Sequence, residues 1–472
     1  MSKLTFKTEP WEHQLRAVEY FMGRDTAALY TKPGSGKTKI MLDTVINKGL
    51  KRVLIVAPKK AAESVWPKEI KKHTHIPEEN VLCLTGKSTA DKVSFLKQSL
   101  LKPKYDGPVL IVCNYDSVWR KELRNELVKK YISLDCVICD ESHKIKSPGG
   151  KTSMALFYIG KRVRCRYLVT GTPFADKPTD IYAQYRFLDS SIFGTNFSLF
   201  QSEYVNIDPV LSARVGHSIP NKDMPYKNLD KLHDKVYSCA FTMDSVVKLP
   251  KTRRKIVEFQ LDRDTEDMYL ELNREGIVQV EGEFYVETDN VLSKKSAQQR
   301  MLSGYVKATN LYDEEAMFKV DSKRAQTLYK IMKEIGLDEK IVIFYKYSMD
   351  KKAIQKACKK LGRTLCEISG KCNQINLWQK GQADTVMVQY NAGAEGIELT
   401  ESCNMIYYTL HHSLGLYEQS LKRIHRPGQT RKCTYYHIVA HSDRIRTVDE
   451  EIIECLRLKK NYVDEVEAGT YK

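Results

Sequence analysis

Three observations predict an α/β protein of two doubly wound parallel-sheet domains with a helical and β-hairpin region between them. Short β-branched runs alternate with helix-like stretches in the first third of the chain. That alternation lapses after about residue 190, and it returns after about residue 321. The expected divisions of the 472 residues are 1–190, 191–315 and 316–472. A chain this long builds about two to four domains with sizeable cores.

The first domain is expected to carry strands at Ala27-Ala-Leu-Tyr30, Val53-Leu-Ile-Val-Ala57, Val109-Leu-Ile-Val-Cys113, Cys136-Val-Ile-Cys139 and Tyr167-Leu-Val-Thr170. Apolar runs this short, each followed by a polar loop and a helical pattern, suit buried parallel strands. Between Ser190 and Thr252 no parallel-strand signal is expected. Thr252–Asp262 then reads as a strand and Asp264–Glu275 as a helix. Ile277–Glu287 reads as a β-hairpin with Gly282 at its turn, and helical character is expected from near Leu292 past Tyr305. The second domain is expected to use strands at Ile341–Tyr345, Thr385–Gln389, Asn404–Tyr408 and Thr434–Val439. No solenoid-period repeat or low-complexity tract interrupts the chain.

The formal net charge is +17. A chain so basic attracts a polyanion, and nucleic acid is favoured over an anionic membrane because no basic amphipathic helix with a lipid face stands out. No run of about 18 apolar residues exists, and the N-terminus lacks an apolar signal core. An intracellular, cytoplasmic protein that does not span a membrane is expected. The twelve cysteines form no framework. Cys136 and Cys139 are three apart on one strand and so point to opposite faces; with no second C-x-x-C they read as reduced core thiols rather than zinc ligands.

Lys32-Pro-Gly-Ser-Gly-Lys-Thr38 has the form of a phosphate-binding loop. Gly34 and Gly36 allow the backbone N–H groups that follow Pro33, from Gly34 to Thr38 with Ser35 included, to approach phosphate oxygens. Lys37 reaches the β- and γ-phosphates, and the Thr38 hydroxyl helps hold Mg²⁺. Thr31 stands where the strict pattern has its first glycine. Asp140-Glu-Ser-His143 ends an apolar strand: Asp140 can hold the metal, Glu141 can polarise water, and His143 can couple nucleotide to the second domain. Thr170-Gly-Thr-Pro173 is either a relay of two hydroxyls beside the nucleotide or a turn with threonine caps. Gln14 offers an amide that matches both edges of adenine, with Trp11 nearby; the alternative is an exposed helix glutamine. In the second domain Gly393 and Gly396 permit close approach of backbone to ribose, phosphate or a nucleic-acid strand. Arg423 and Arg426, three apart, share a face if their segment is helical, with Gln419 one turn earlier. Set against a distant phosphate loop, they read as arginine fingers that reach a γ-phosphate when two domains close on ATP.

In this order the motifs resemble superfamily 2 helicases, and within them the SNF2 family of DNA translocases. The carriers are Gln14, Gly34-Ser-Gly-Lys-Thr38, Asp140-Glu-Ser-His143, Thr170-Gly-Thr-Pro173, Gly393-Ala-Glu-Gly-Ile-Glu-Leu-Thr400 and Gln419…Arg423-Ile-His-Arg426-Pro-Gly-Gln429. Asn114-Tyr-Asp116 and Leu249-Pro-Lys-Thr252 add to them, and the likeness runs over roughly residues 10–440. The chain has Thr31-Lys-Pro-Gly34 where the family usually has Asp-Glu-x-Gly, and no reader module flanks it. It therefore looks like the compact SNF2-type helicases of bacteriophages and of the annealing or fork-remodelling branch, not a chromatin remodeller. The resemblance implies two RecA-like domains, ATP and Mg²⁺ as cofactors, and a monomer working on duplex, forked or four-way-junction DNA in recombination or repair. An RNA-directed helicase, a catalytically silent DNA-binding scaffold and the motor of a restriction system are the alternatives. It further implies phosphate contacts near Lys59, Lys60, Thr85, Gly86 and Asn114, although Lys59 and Lys60 equally suit a solvated loop. Phe284 and Tyr285 at the hairpin are either a wedge between DNA strands or packing aromatics.

Overall fold

The computed structural model describes residues 5–32, 34–101, 107–216, 218–222, 224–243, 249–393 and 397–468. The chain packs into two units, Met1–Val247 with Lys459–Lys472, and Lys248–Leu458. The region expected as a separate middle piece is thus shared between the two.

The first unit is built on a parallel sheet of seven strands: β1 (Thr26–Thr31), β2 (Arg52–Ala57), β3 (Val81–Cys83), β4 (Val109–Asn114), β5 (Cys136–Asp140), β6 (Cys165–Thr170) and β7 (Ala240–Met243). Their order is β3-β4-β2-β5-β6-β1-β7. Every neighbouring pair is parallel, as the β-branched, two-sided apolar runs require. Val53, Leu54, Ile55, Val56 and Ala57 are all fully buried. Each large aliphatic side chain so buried contributes about 1.5–3 kcal/mol. Helices Glu12–Met22 and Lys37–Asn47 pack together beside β1, with Val18, Phe21, Ile40 and Val45 in the same core as Tyr167 and Trp66. Strand β7 corrects one expectation: a parallel strand does occur between Ser190 and Thr252, pairing Ala28 with Ala240 and Thr31 with Met243. Its four residues are only partly buried or exposed, so they carry no apolar run to read.

The second unit holds two sheets. Strand β8 (Thr252–Gln260) is followed by the antiparallel strands β9 (Ile277–Glu281), β10 (Phe284–Glu287), β11 (Tyr305–Thr309) and β12 (Glu315–Lys319), ordered β12-β11-β10-β9. The larger sheet adds β13 (Ile341–Tyr345), β14 (Leu365–Ile368), β15 (Thr385–Gln389), β16 (Asn404–Tyr407) and β17 (Cys433–His441) in the parallel order β14-β15-β13-β16-β17-β8. Strand β8 therefore belongs to the second parallel sheet, paired along its whole length with β17. Helix Val291–Leu302 stops before Tyr305, contrary to expectation, because Gly304 takes φ +92° and the chain turns into β11.

A buried ion pair ties this unit together. Arg324 and Asp449 are both completely buried and bonded to each other. Arg324 also donates to the carbonyls of Leu302, Tyr408 and Ile438, and Asp449 accepts from the Ala440 N–H at 3.1 Å. One side chain thus links a helix end, the exit of β16, strand β17 and the start of the C-terminal helix. All twelve cysteines are free. Cys136 and Cys139 are fully buried, and burial pushes both thiols up, in keeping with inert core residues. Among the described residues no helix is long and apolar enough to cross a membrane, and no group of three or more His, Cys, Asp or Glu could hold a metal.

Candidate functional site

Parallel pairing puts the carboxyl ends of β1, β6 and β5 on one edge, in adjacent positions. Tyr30 is level with Thr170, and Asp140 with Val169. The loop after β1, the Thr170 turn and the acidic pair therefore line up at strand spacing of about 4.8 Å.

The loop leaves β1 at Thr31, whose Oγ1 lies 2.7 Å from Ser35 Oγ. Gly34 and Gly36 have φ of +86° and +77°, which L side chains resist, and Gly36 caps helix Lys37–Asn47. Lys37 Nζ donates to the Thr31 carbonyl at 3.2 Å. Thr38 sits half-buried in the first helical turn. Pro33 lies outside the described residues. Gln14 is buried beneath the loop: Nε2 donates to the Ser35 carbonyl at 3.1 Å, and Oε1 accepts from the Trp11 N–H at 3.0 Å. His13 Nε2 lies 3.0 Å from the same Ser35 carbonyl. A Cβ on Gly36 would stand 2.2 Å from Gln14 Nε2. Gln14 is thus a prop under the phosphate loop, neither an exposed helix residue nor one with both amide ends open. Trp11 is exposed and tilts against His13.

Asp140 ends β5 with Oδ2 accepting from Trp66 Nε1 at 2.9 Å, while Tyr115 Oη donates to its backbone carbonyl at 2.6 Å. Burial, then the adjacent Glu141 charge, pushes the Asp140 carboxyl up to about 6, with Trp66 and Lys37 pulling the other way. Glu141 has φ +51°, a left-handed turn rare for such a residue. Thr170, fully buried, joins the two motifs. Its hydroxyl donates to Glu141 Oε2 at 3.2 Å, accepts from the Thr172 N–H at 3.1 Å, and lies 3.2 Å from His143 Nδ1. His143 Nδ1 is also 3.4 Å from Glu141 Oε2. Ser142 hydrogen-bonds Gln184, whose amide in turn holds the Pro173 carbonyl. Trp66 and Gln184 carry no local signature in sequence, and although Tyr115 lies in the Asn114-Tyr-Asp116 segment, only the fold shows that it reaches Asp140.

Thr38 and Asp140 suit a magnesium ion: a hydroxyl and a carboxylate, with the acid Glu141 next to it, on the edge that carries the phosphate loop. Two protein oxygens are few, but Mg²⁺ typically keeps waters and takes its other ligands from phosphate.

Of the predicted nucleic-acid residues, Lys59, Lys60, Thr85, Gly86 and Asn114 end or follow β2, β3 and β4 along the same carboxyl edge of the first sheet, while Phe284 and Tyr285 belong to the second unit. Lys59 is exposed and 3.9 Å from Glu63, and Lys60 begins the following helical turn. Thr85 and Gly86 form a turn after β3. Asn114 is buried, with Oδ1 accepting from Ser117 Oγ, which accepts in turn from Lys92. Phe284 packs on Phe318 of β12 with ring centroids 5.1 Å apart, and Tyr285 is paired within the antiparallel sheet. Both sit in a four-stranded layer, with Phe284 directly after the Gly282-Glu283 turn and opposite Glu281.

In the second unit Gln419 lies in helix Leu414–Leu421, capped by Ser413. The arginines do not share a helical face, because the helix stops at Leu421 and the chain runs on in turns through Gly428. Arg423 Nη1 donates to the Ile397 carbonyl at 3.3 Å, and Arg426 Nε lies 3.3 Å from Glu398. Gln429 is buried and donates to the carbonyls of Thr400, Ser402 and Ile424, locking this turn to the Ile397–Thr400 segment. His425 lies 2.7 Å from the Pro250 carbonyl. Gly396 lies outside the described residues.

The chain matches the SNF2-related domain over residues 13–312 and the helicase conserved C-terminal domain over residues 323–428. It is 22% identical to protein p41 of Acyrthosiphon pisum secondary endosymbiont phage 1, over 98% of both chains. It is 21% identical to DNA repair and recombination protein RDH54 of Saccharomyces cerevisiae (strain YJM789), over 87% of this chain and 46% of that one. It thus spans about half the length of RDH54. The solved Sulfolobus solfataricus SWI2/SNF2 ATPase core in complex with dsDNA aligns with 99% of this chain and 96% of its own, at a TM-score of 0.41 and 18% identity. The SNF2-related match alone covers well over half of the residues, and the loop, acidic pair and arginine turn stand in the order the family requires: the chain belongs to the SNF2-related family of superfamily 2 helicase-type ATP hydrolases.

Proposed function

We propose that this protein is an ATP-driven DNA translocase that acts on duplex or branched DNA, with branch migration, fork remodelling and limited unwinding as its outputs. The observation that carries the reading is the Thr170 hydroxyl, shared between Glu141 and His143 on the edge that holds the phosphate loop. A hydrolase needs its water-polarising carboxylate held; a motor also needs that carboxylate tied to an element that can report nucleotide state.

In this account Gly34, Ser35 and Gly36, with the Pro33 and Thr38 backbone, cradle the phosphates, and Lys37 neutralises the β- and γ-oxygens. Gln14 and His13 fix the Ser35 carbonyl and so the loop's shape. Thr38 and Asp140 would hold Mg²⁺, which when bound would supply charge neutralisation at the phosphates. Glu141 orients the attacking water and accepts its proton. Arg423 and Arg426 stabilise the transition-state charge, an effect worth roughly 10³–10⁵ in rate where an arginine finger acts; Gln419 and Gly396 are the further residues assigned to the nucleotide. RDH54 is described as a DNA repair and recombination protein, and this supports DNA as the partner here. A monomer working in a cytoplasm, that of a host cell if the chain is phage-encoded, completes the reading.

The test is ATP hydrolysis at low salt with no nucleic acid, RNA, single-stranded DNA, linear duplex, a fork and a four-way junction. Duplex stimulation with the greatest effect from branched DNA is expected. Stimulation by RNA or single strand alone overturns it in favour of a strand-tracking helicase. No stimulation by any nucleic acid, restored by a partner subunit, makes the chain the motor of a restriction-type complex.

A further inference from the structure

The first unit carries a basic surface that the nucleotide site does not use. Trp119 follows the short helix Tyr115–Val118, and Tyr158 lies on helix Lys151–Gly160. Each ring is shared by two cations. Arg120 lies 4.1 Å and Lys151 5.0 Å from the Trp119 ring centroid. Arg162 lies 3.9 Å and Arg124 5.2 Å from that of Tyr158. Among the described residues no carboxylate forms an ion pair with any of the four, although Asp116 and Glu122 lie on the same elements. Arg120, Lys151 and Arg162 are exposed, as is Tyr158.

Two like charges on one ring repel each other, and a solvated face gains nothing from placing them together. The cation–π contacts offset part of that repulsion at about 0.5–1 kcal/mol each. What the arrangement does provide is order. The rings hold long side chains in place, so a ligand does not have to freeze them. Because cations cover the ring faces, bases have no open platform to stack on. The partner that fits is a row of backbone phosphates, read without regard to sequence. Arg120 and Arg124 are four residues apart, with the Arg124 N–H bonded to the Arg120 carbonyl, which is about 6 Å along one helix axis, and Lys151 and Tyr158 lie about 10 Å apart along helix Lys151–Gly160.

The patch is wired to the nucleotide edge. Tyr115, in the helix that Trp119 caps, donates its hydroxyl to the Asp140 carbonyl at 2.6 Å. Lys151 opens the first helix beyond the Asp140–His143 segment and its short helical turn. A strand seated on the patch would therefore press on both sides of the acidic pair.

We infer that Arg120, Arg124, Lys151 and Arg162, held by Trp119 and Tyr158, form a phosphate-backbone contact for DNA beyond the motif residues themselves. This inference rests on the DNA reading above. The test is the affinity of a fluorescent DNA duplex at several salt concentrations, for the full chain and for two fourfold variants. The first is R120Q/R124Q/K151Q/R162Q. The second, K352Q/K356Q/K359Q/K360Q, removes the same charge from an exposed helix face of the other unit. Removing one cation from a DNA phosphate lowers the slope of log K against log salt by about 0.9, so the patch variant should lose up to about 3.6 in slope. The control variant should lose far less. Equal slopes for the patch variant and the unaltered chain, or equal losses in both variants, overturn the inference. An unaltered chain that binds no duplex overturns the DNA reading itself. If the fourfold patch variant melts early, R120Q/K151Q alone should lose up to about 1.8, and no loss there is equally fatal.

Discussion

Replacing Thr170 by valine removes one hydroxyl and almost no volume, and it tests whether that hydroxyl organises the catalytic edge. Thr170 is fully buried, but Glu141 and Thr172 are only half-buried, so water offsets part of what is lost. The Thr172 N–H loses an acceptor at 3.1 Å, Glu141 loses a donor at 3.2 Å, and His143 loses a neighbour at 3.2 Å. Losing a hydrogen bond of this kind costs about 0.5–1.5 kcal/mol of stability, so the variant should unfold slightly earlier but still fold. The larger effect should fall on turnover. A loosened Glu141 loses about 1.4–2.7 kcal/mol of transition-state stabilisation, which is about 10- to 100-fold in kcat. KM for ATP should move little, because the phosphate loop is untouched. Steady-state ATP hydrolysis with saturating duplex DNA measures both constants, and Thr170→Ser, which keeps the hydroxyl, should stay close to the unaltered enzyme. A valine variant with kcat within about twofold of the unaltered chain, while properly folded, would refute the reasoning.

Other outcomes follow from the same structure. Gly36→Ala should raise KM for ATP at least tenfold in a steady-state assay, because its Cβ meets Gln14 Nε2 at 2.2 Å and its φ of +77° disfavours any side chain. Arg324→Met should cost about 3–5 kcal/mol in urea unfolding, since it leaves Asp449 buried without its partner; R324M/D449L should recover part of the loss. Because burial and Glu141 raise the Asp140 carboxyl to about 6, ATP hydrolysis should climb as pH rises through about 6 at low Mg²⁺, and the climb should move to lower pH at saturating Mg²⁺. The same raised acid works against stability in the opposite sense. Its favourable contribution is full below the ordinary aspartate value of about 4 and is lost as pH rises to about 6. Thermal unfolding of Asp140→Asn against the unaltered chain over that window measures the difference.

The long two-sided apolar runs were legible because burial on both faces leaves no polar alternation to confuse them. Ile341–Tyr345 and Thr385–Gln389 are strands with the bounds the sequence suggests, and Arg52–Ala57 differs by one residue. Val81–Cys83, Ala240–Met243 and Leu365–Ile368 were not legible: they are edge strands of only three or four residues, paired on one side and too short to show a run. The helix expected past Tyr305 failed at Gly304, where a single left-handed glycine outweighs the propensity of its neighbours. The phosphate loop and acidic pair could be read because their spacing is local. What props them could not. Gln14 beneath Ser35, Trp66 on Asp140 and Tyr115 on the Asp140 carbonyl all depend on which strands become neighbours. Arg423 and Arg426 show the reverse case. Their spacing suggests a helical face, but Gln429 pulls three carbonyls into a turn and ends the helix first.

The most direct test of the central claim is ATP-dependent displacement of a third strand from a duplex track, which reads movement along DNA without requiring strand separation. The unaltered chain should displace the third strand with ATP and Mg²⁺, and Lys37→Ala should not, because the loop then lacks the cation that neutralises the β- and γ-phosphates. Duplex-stimulated hydrolysis without displacement would contradict the account and leave a DNA-sensing ATPase in place of a motor.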